Sequence, residues 1–280
     1  MVQTQNSMLK DMKLFENIQK IKINKRTDHQ EIITKKISII IPALNEEHTI
    51  KKLILDIDKE LKHELSLNDF EIIVIDDGSD DETYKKASEL NLAKIYKNYR
   101  NMGKGYSMRK GLNYSVGRYI AFIDADGSHS VKDLIRGLKI IEKIEKNNEN
   151  EKPFLITGVR FKNGKSGTTL LNKLGNRLYT LIGLVLWNKN INDLTCGLRL
   201  ARKSDLVELG LSSFKYTIEV EMIALSLRKK YNIIQMSINA RQRMFGSSGV
   251  RVLKEGIIIP ISFVLASTET FSWITRKIAI

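Results

Sequence analysis

Two runs of apolar, β-branched residues mark the first half of the chain: ISIIIP at residues 37–42 and FEIIVI at 70–75. Neither alternates with polar residues, so both predict central strands buried on two faces. YIAFI at 119–123 has the same character, and 94–96 reads as a short strand. Between these runs the period changes. Ile50, Leu53, Ile54, Ile57, Leu61 and Leu65 recur at helical spacing, so one face of that helix packs on a sheet. Asn45 is placed to cap it, with Glu46 and Glu47 in the first turn. Ser79 and Glu82 fit a capping box for a helix carrying 84–90. A further helix is predicted over 105–115, and another begins at Ser130 and Asp133 and ends in the solvated run EKNNENEK. This β-α-β-α-β-α-β order predicts an α/β fold, a parallel sheet with helices on both faces.

The second half is less regular. FLITGVRF (154–161) predicts a strand, KNGKSGTT a loop, and residues 170–187 a long amphipathic or apolar helix. DLTCGLRLARKSDL reads as a turn, a short strand and a helix start. YTIEVEMIALSLRKK predicts a helix, NIIQMSINAR a strand and RMFGSSGVR a Gly/Ser loop. No linker is visible. The chain divides into a basic arm (1–36), one catalytic domain (37–253, with halves 37–150 and 151–253) and an apolar tail (254–280).

Composition narrows the choice of partner. The 280 residues are 42% hydrophobic and 28% charged, as in ordinary globular proteins. The net charge of +14 favours polyanions: nucleic acid, acidic lipid or phosphorylated substrates. The basic residues are dispersed and no nucleic-acid-binding signature appears, so no nucleic-acid partner is expected. The single cysteine, Cys196, excludes an internal disulfide and fits a reducing compartment. No signal peptide is visible, and no uninterrupted apolar run is long enough to span a bilayer. The apolar stretches at 178–187 and 256–280 carry two readings, interfacial docking and burial in the core.

The candidate chemistry lies at the strand ends. Parallel sheets bind ligands there, and the ends carry Asn45 and Glu46, then Asp76 and Asp77, then Asp124 and Asp126. That is an acidic rim on a basic protein. Side chains at i and i+2 of a strand point the same way, so Asp124 and Asp126 converge if the strand persists. A divalent cation would offset their repulsion, and oxygen ligands suit Mg²⁺ or Mn²⁺. Glu219 and Glu221 are also two apart, but on a helix they diverge.

SIIIPALNEE, EIIVIDDGSDDET, NMGKGYSMRKGL and YIAFIDADGSHS follow in this order. Together they resemble glycosyltransferase family 2, which implies a Rossmann-like GT-A fold with a mostly parallel sheet. GVRF, LGNRLYTLIG, DLTCGLR, IEVEM and RMFGSSG resemble, within it, the polyprenyl-phosphate hexose synthases, the group of the dolichyl-phosphate mannose synthases. The resemblance implies that Pro42, Leu44 and Glu46 line the nucleotide pocket, with Asp77 near the base or ribose. The family commonly has an aromatic where Leu44 stands. Asp76 either faces the nucleotide or caps the next helix, and Lys104 either meets the nucleotide and its phosphates or is a solvated turn lysine. Asp124 and Asp126 match the metal-binding pair, Asp126 holding the cation that bridges the donor diphosphate, and His129 falls where some relatives add a ligand. Arg160, Lys173 and Arg177 are candidates for the acceptor phosphate, because guanidinium groups grip phosphate oxygens in pairs. Arg243 resembles a late phosphate-contacting arginine. Gly249 stands where the family has a lysine, and Arg251 is the nearest substitute. Asp193 is a candidate for orienting the acceptor region.

The implied reaction is an inverting, metal-dependent transfer of a hexose to dolichyl or polyprenyl phosphate at the cytosolic face of a membrane. Asp126, Arg160 and Arg243 form the catalytic set. Mannose from GDP-mannose ranks ahead of glucose from UDP-glucose. Amphipathic, membrane-facing helices in the C-terminal half, an anionic membrane surface and an integral-membrane partner subunit complete the expectation, which makes the protein cytoplasmic and peripheral. The alternatives are transfer to a sugar hydroxyl, with a general base at Glu219, Glu221 or Asp193, and a non-catalytic nucleotide-sugar-binding subunit.

Overall fold

In the computed structural model, residues 35–66, 69–147, 152–160, 184 and 188–241 are described. Lys173, Arg177, Arg243, Arg251, most of the 178–187 stretch, the arm to residue 34 and the tail lie outside them.

The apolar runs form the centre of a seven-stranded sheet of order β3-β2-β1-β4-β6-β5-β7. The strands are β1 (Lys35–Ala43), β2 (Phe70–Asp76), β3 (Lys94–Lys97), β4 (Gly117–Phe122), β5 (Phe154–Val159), β6 (Arg199–Arg202) and β7 (Asn232–Ser237). The helices among the described residues are α1 (Ile50–Glu64), α2 (Thr83–Ser88), α3 (Lys104–Tyr114), α4 (Val131–Lys146), α5 (Lys203–Leu209) and α6 (Ile218–Arg228).

Alternation along the strands builds two cores. Ile37, Ile39 and Ile41 of β1, with Tyr119 and Ala121 of β4, pack against the buried face of α1 (Ile50, Leu53, Ile54, Ile57, Leu61) and against α4. Ile40, Ile120 and Phe122 face the other way, toward α3, α5 and α6. Each fully buried isoleucine contributes about 1.5–3 kcal/mol by leaving water, which explains why the runs do not alternate with polar residues.

The chain builds outward from β1 to β2 and β3, then returns to β4 on the other side of β1. This reversal opens a crevice at the carboxyl ends of β1 and β4. The register Ala43↔Asp76 and Ile40↔Phe122 brings the ends of β1, β2 and β4 to one rim.

One strand departs from the parallel pattern. β6 runs antiparallel to β4 and β5, with Phe122 opposite Arg199. The residues described just before it, 188–198, form neither helix nor strand, and 193–198 carry the chain along the rim into β6.

Candidate active site

Two predicted caps are replaced by contacts that build the rim. Asn45 does not cap α1. It takes a left-handed conformation (φ 55°), its N–H donates to Ser79 Oγ at 3.0 Å, and its Oδ1 accepts from Asp80 N at 3.0 Å. A turn at 46–49 precedes the helix, which starts at Ile50 with Thr49 before it. Ser79 does not form a capping box. It donates through N and Oγ to Asp76 Oδ1, at 2.9 and 2.5 Å, and α2 starts later, at Thr83. The short polar side chains serve loop–loop contacts between the ends of β1 and β2, which outcompete capping.

The nucleotide-side candidates fall on this rim. Pro42 lies within β1 opposite Ile75, and Leu44 follows the strand end, half-buried. Glu46 is buried; its N–H donates to Thr83 Oγ1 at 2.7 Å and its Oε2 accepts from Thr49 Oγ1 at 3.2 Å. Asp76 is fully buried, with Lys97 Nζ 3.6 Å from Oδ2. Asp77 accepts from Asn98 Nδ2, Ser107 Oγ, and the N–H groups of Met102 and Gly103 at 2.7–3.0 Å. Burial raises its pKa although these donors oppose the shift. Its carboxylate thus ties down the loop that leads into α3.

The DAD turn departs from the simple strand picture. β4 ends at Phe122, and Gly127 bends the chain at φ 73°, so strand alternation does not carry through Asp124 and Asp126. The two carboxylates have different surroundings. Asp124 is clasped by Lys104, with Nζ 2.5 Å from Oδ1, and the same Nζ lies 2.5 Å from Glu219 Oε1. Lys104 is therefore no solvated turn residue. Burial opposes its charge, but Asp124 and Glu219 outweigh burial and hold its pKa above the ordinary lysine value. Burial likewise works against ionised Asp124, and Lys104 with His129 reverses that and depresses its pKa. Asp126 is half-buried, and its Oδ1 accepts from Ser128 N at 2.9 Å.

His129 is 4% exposed, with Nε2 3.4 Å from Asp124 Oδ2 and neither ring nitrogen in hydrogen-bond geometry. Among the described residues no three His, Cys, Asp or Glu side chains form a ready-made metal site. Two carboxylates and an unsatisfied buried imidazole do fit an open site, one completed by substrate oxygens, as Mg²⁺ and Mn²⁺ prefer.

Across the rim stands Arg160, just past the end of β5. Its Nε and Nη2 grip Asp193 Oδ2 and Oδ1 at 2.7 and 2.8 Å, and Nη2 also donates to Thr195 Oγ1 at 2.8 Å. Burial disfavours its charge, and Asp193 more than compensates, raising the pKa. Gly197, two residues after the Thr195 that Arg160 donates to, packs against Asp124, so the DAD turn and Arg160 lie on one rim. Cys196, buried beside Asp193, has a thiol pKa pushed up to about 12, so it is no nucleophile at neutral pH.

Glu219 and Glu221 diverge from the first turn of α6. Glu219 holds Lys104, while Glu221 accepts from Ser212 N and Oγ and from Ser213 N at 2.7–2.9 Å. Two further site residues carried a weak signal in the sequence. Gly197 has Asp124 packed against it: a Cβ there would lie 2.1 Å from Oδ2. Arg199 is fully buried and donates to Leu194 O and Thr157 Oγ1 at 2.7 and 3.1 Å. The D-x-T-x-G-x-R alternation is the pattern that could have flagged both.

A seven-stranded, mostly parallel sheet with acidic strand ends at its switch point defines the GT-A class of α/β fold. Glucosyl-3-phosphoglycerate synthase from Mycobacterium tuberculosis, solved with Mn²⁺, UDP and glucosyl-3-phosphoglycerate, superposes with a TM-score of 0.60 at 21% identity, over 83% of this chain and 80% of that one. Residues 38–210 match the sequence profile of glycosyl transferase family 2, and the chain belongs to that family. It is a glycosyltransferase. A dolichyl-phosphate beta-glucosyltransferase from Saccharomyces cerevisiae is 26% identical over 87% of this chain and 78% of its own length. A UDP-N-acetylglucosamine–dolichyl-phosphate N-acetylglucosaminyltransferase from Methanococcus voltae is 31% identical over 73% of this chain and 85% of its own.

Proposed function

We propose that the protein transfers a hexose, with inversion, from a nucleotide sugar to a dolichyl or polyprenyl phosphate at the cytosolic face of a membrane. The observation that carries this reading is the pairing, on one rim, of the DAD turn with a carboxylate-anchored arginine, Arg160, joined through Thr195 and Gly197 of one turn. One polyanion meets the turn and the other meets the arginine. The names of the relatives favour a UDP-linked glucose or N-acetylglucosamine over the GDP-mannose that the motifs alone ranked first.

The acceptor phosphate oxygen attacks the anomeric carbon. The bond from that carbon to the diphosphate oxygen breaks, and the nucleoside diphosphate leaves with the electron pair. Arg160, fixed by Asp193, orients the acceptor oxygens. Lys104 keeps Asp124 ionised and in place. Asp126, with Asp124 and His129 beside it, would hold the divalent cation, which supplies charge stabilisation to the departing diphosphate. The acceptor is already an anion and needs no general base. Glu219 supports this reading, because its carboxylate is paired with Lys104 rather than poised to take a proton.

The test is a donor panel. Radiolabelled UDP-glucose, UDP-N-acetylglucosamine and GDP-mannose are each incubated with the protein, Mn²⁺ or Mg²⁺ and a short polyprenyl phosphate. The expected result is organic-extractable label from a UDP-sugar, lost in Asp126→Ala. Label from GDP-mannose alone would reverse the donor order, and no lipid-linked label from any donor would overturn the proposal.

A further inference from the structure

Residues 193–199 cross the rim as one turn, and its side chains divide by parity. Leu194, Cys196 and Leu198 are fully buried in the cores. Asp193, Thr195, Gly197 and Arg199 meet polar groups of the site instead. Asp193 and Thr195 hold the Arg160 guanidinium at 2.7–2.8 Å. Gly197 gives Asp124 its place: a Cβ would meet Oδ2 at 2.1 Å, and Cγ and Oδ1 at 2.4 Å. Only a shift of the Asp124 carboxylate relieves such a contact, and that carboxylate is clasped by Lys104. Arg199 fastens the turn at its end, donating to Leu194 O within the turn and to Thr157 of β5, the strand that leads into Arg160.

The geometry points to a single spacing device: turn 193–199 fixes the separation between the arginine that grips the acceptor phosphate and the DAD turn that serves the donor, with Asp193 and Gly197 as positioning residues for two different substrates. The inference rests on the lipid-phosphate reading of Arg160. It explains why one short turn carries both a buried carboxylate and a glycine packed against the Asp124 carboxylate. Its consequence is separable defects. Damage at the Asp193 end reaches the acceptor, and damage at the Gly197 end reaches the donor.

The experiment uses the full chain and its variants Asp193→Asn, Thr195→Val and Gly197→Ala. Two constants are read for each: KM for a short polyprenyl phosphate, and Kd for UDP with Mn²⁺ by calorimetry. Asp193→Asn is expected to raise the acceptor KM about tenfold, because the bidentate charged contact is lost. Thr195→Val raises it about threefold, through one lost hydrogen bond. Neither changes the UDP affinity beyond about twofold. Gly197→Ala weakens UDP binding about tenfold or more while the acceptor KM holds, because the methyl displaces Asp124. In an Arg160→Ala background, Asp193→Asn adds no further rise in acceptor KM, which a purely structural carboxylate would not predict.

Proportional shifts of both constants in every variant would overturn the inference, as would an additive effect of Asp193→Asn on Arg160→Ala. If Gly197→Ala does not fold, Asp124→Ala combined with Gly197→Ala removes the clashing carboxylate and is expected to fold; failure of that double variant overturns the donor half. If wild type makes no lipid-linked product, the acceptor reading fails by itself. The UDP affinity of Gly197→Ala and the binding of inorganic phosphate by Asp193→Asn then still decide the two halves.

Discussion

The Lys104 ammonium lies between two carboxylates, and none of the three groups is favourable alone in that setting. Glu219 is 2% exposed; its Oε1 pairs with Lys104, and its Oε2 has no hydrogen-bond partner. Removing the cation leaves two like charges facing each other out of bulk water. Breaking a buried pair in this way costs about 3–5 kcal/mol, and the partial exposure of Asp124 moves the expectation to the lower end. Lys104→Met is therefore expected to lower the denaturant midpoint by an amount worth about 3 kcal/mol. Adding Glu219→Gln should restore part of that loss, because one of the two uncompensated charges disappears. Equal midpoints for wild type and Lys104→Met would contradict the ion-pair account.

Among the elements, the opposite end of the sheet is stapled by one side chain. Glu71 of β2 accepts from Ser38 Oγ of β1 at 2.5 Å, from Lys94 Nζ of β3 at 2.8 Å and from Val116 N, just before β4, at 2.7 Å. Ser38 Oγ also accepts from Gly117 N at 2.9 Å. Burial would raise the Glu71 pKa, but the Lys94, Ser38 and Val116 contacts together depress it below 4.5. A depressed carboxylate contributes stability that is present above its unfolded pKa and is lost as pH falls through the folded value. Glu71→Gln should therefore be less stable than wild type near neutral pH, and the gap should narrow as pH drops from about 5 to about 3. A gap of constant size across that range, followed by thermal melting, would show that Glu71 is not the ionised staple.

Much at the element scale was legible in the sequence. Continuous β-branched runs and a 3.6-residue period are local signals, and β1, β2 and α1 followed from them. Ser130 does cap α4, its Oγ accepting from Lys132 N, but Asn45 and Ser79 have partners 34 residues away or across a turn, and local capping rules see neither. The antiparallel course of β6 was hidden for a related reason. Its strand is four residues long and begins with a buried arginine, so its direction follows from where turn 193–198 lies on the rim. At the site, the i, i+2 spacing of DAD was readable, but the division of labour between the two carboxylates was not. It depends on Lys104, Glu219 and Gly197, which are remote in the chain.

For the whole molecule, a net charge of +14 accompanies an acidic rim. On the proposed function the rim would take a divalent cation before a diphosphate, and the excess of positive charge would favour an anionic surface. Chelation with EDTA is expected to abolish calorimetric UDP binding, with recovery on adding Mn²⁺; unchanged binding in EDTA would remove the cation from the account. Binding to vesicles that contain anionic lipid should weaken as salt rises from about 0.05 to about 0.5 M, because the Debye length shrinks severalfold. No helix among the described residues is long and apolar enough to cross a membrane.

The central claim is that the acceptor is an anion that needs no base. The measurement that tests it offers the wild-type protein two acceptors that differ only in the phosphate: a short polyprenyl phosphate and the matching polyprenol, each with the same radiolabelled UDP-sugar and Mn²⁺. Label in the phosphate product alone is the predicted result. Label transferred to the alcohol, or to a sugar hydroxyl supplied in its place, would contradict the account and return Glu219 to the role of base.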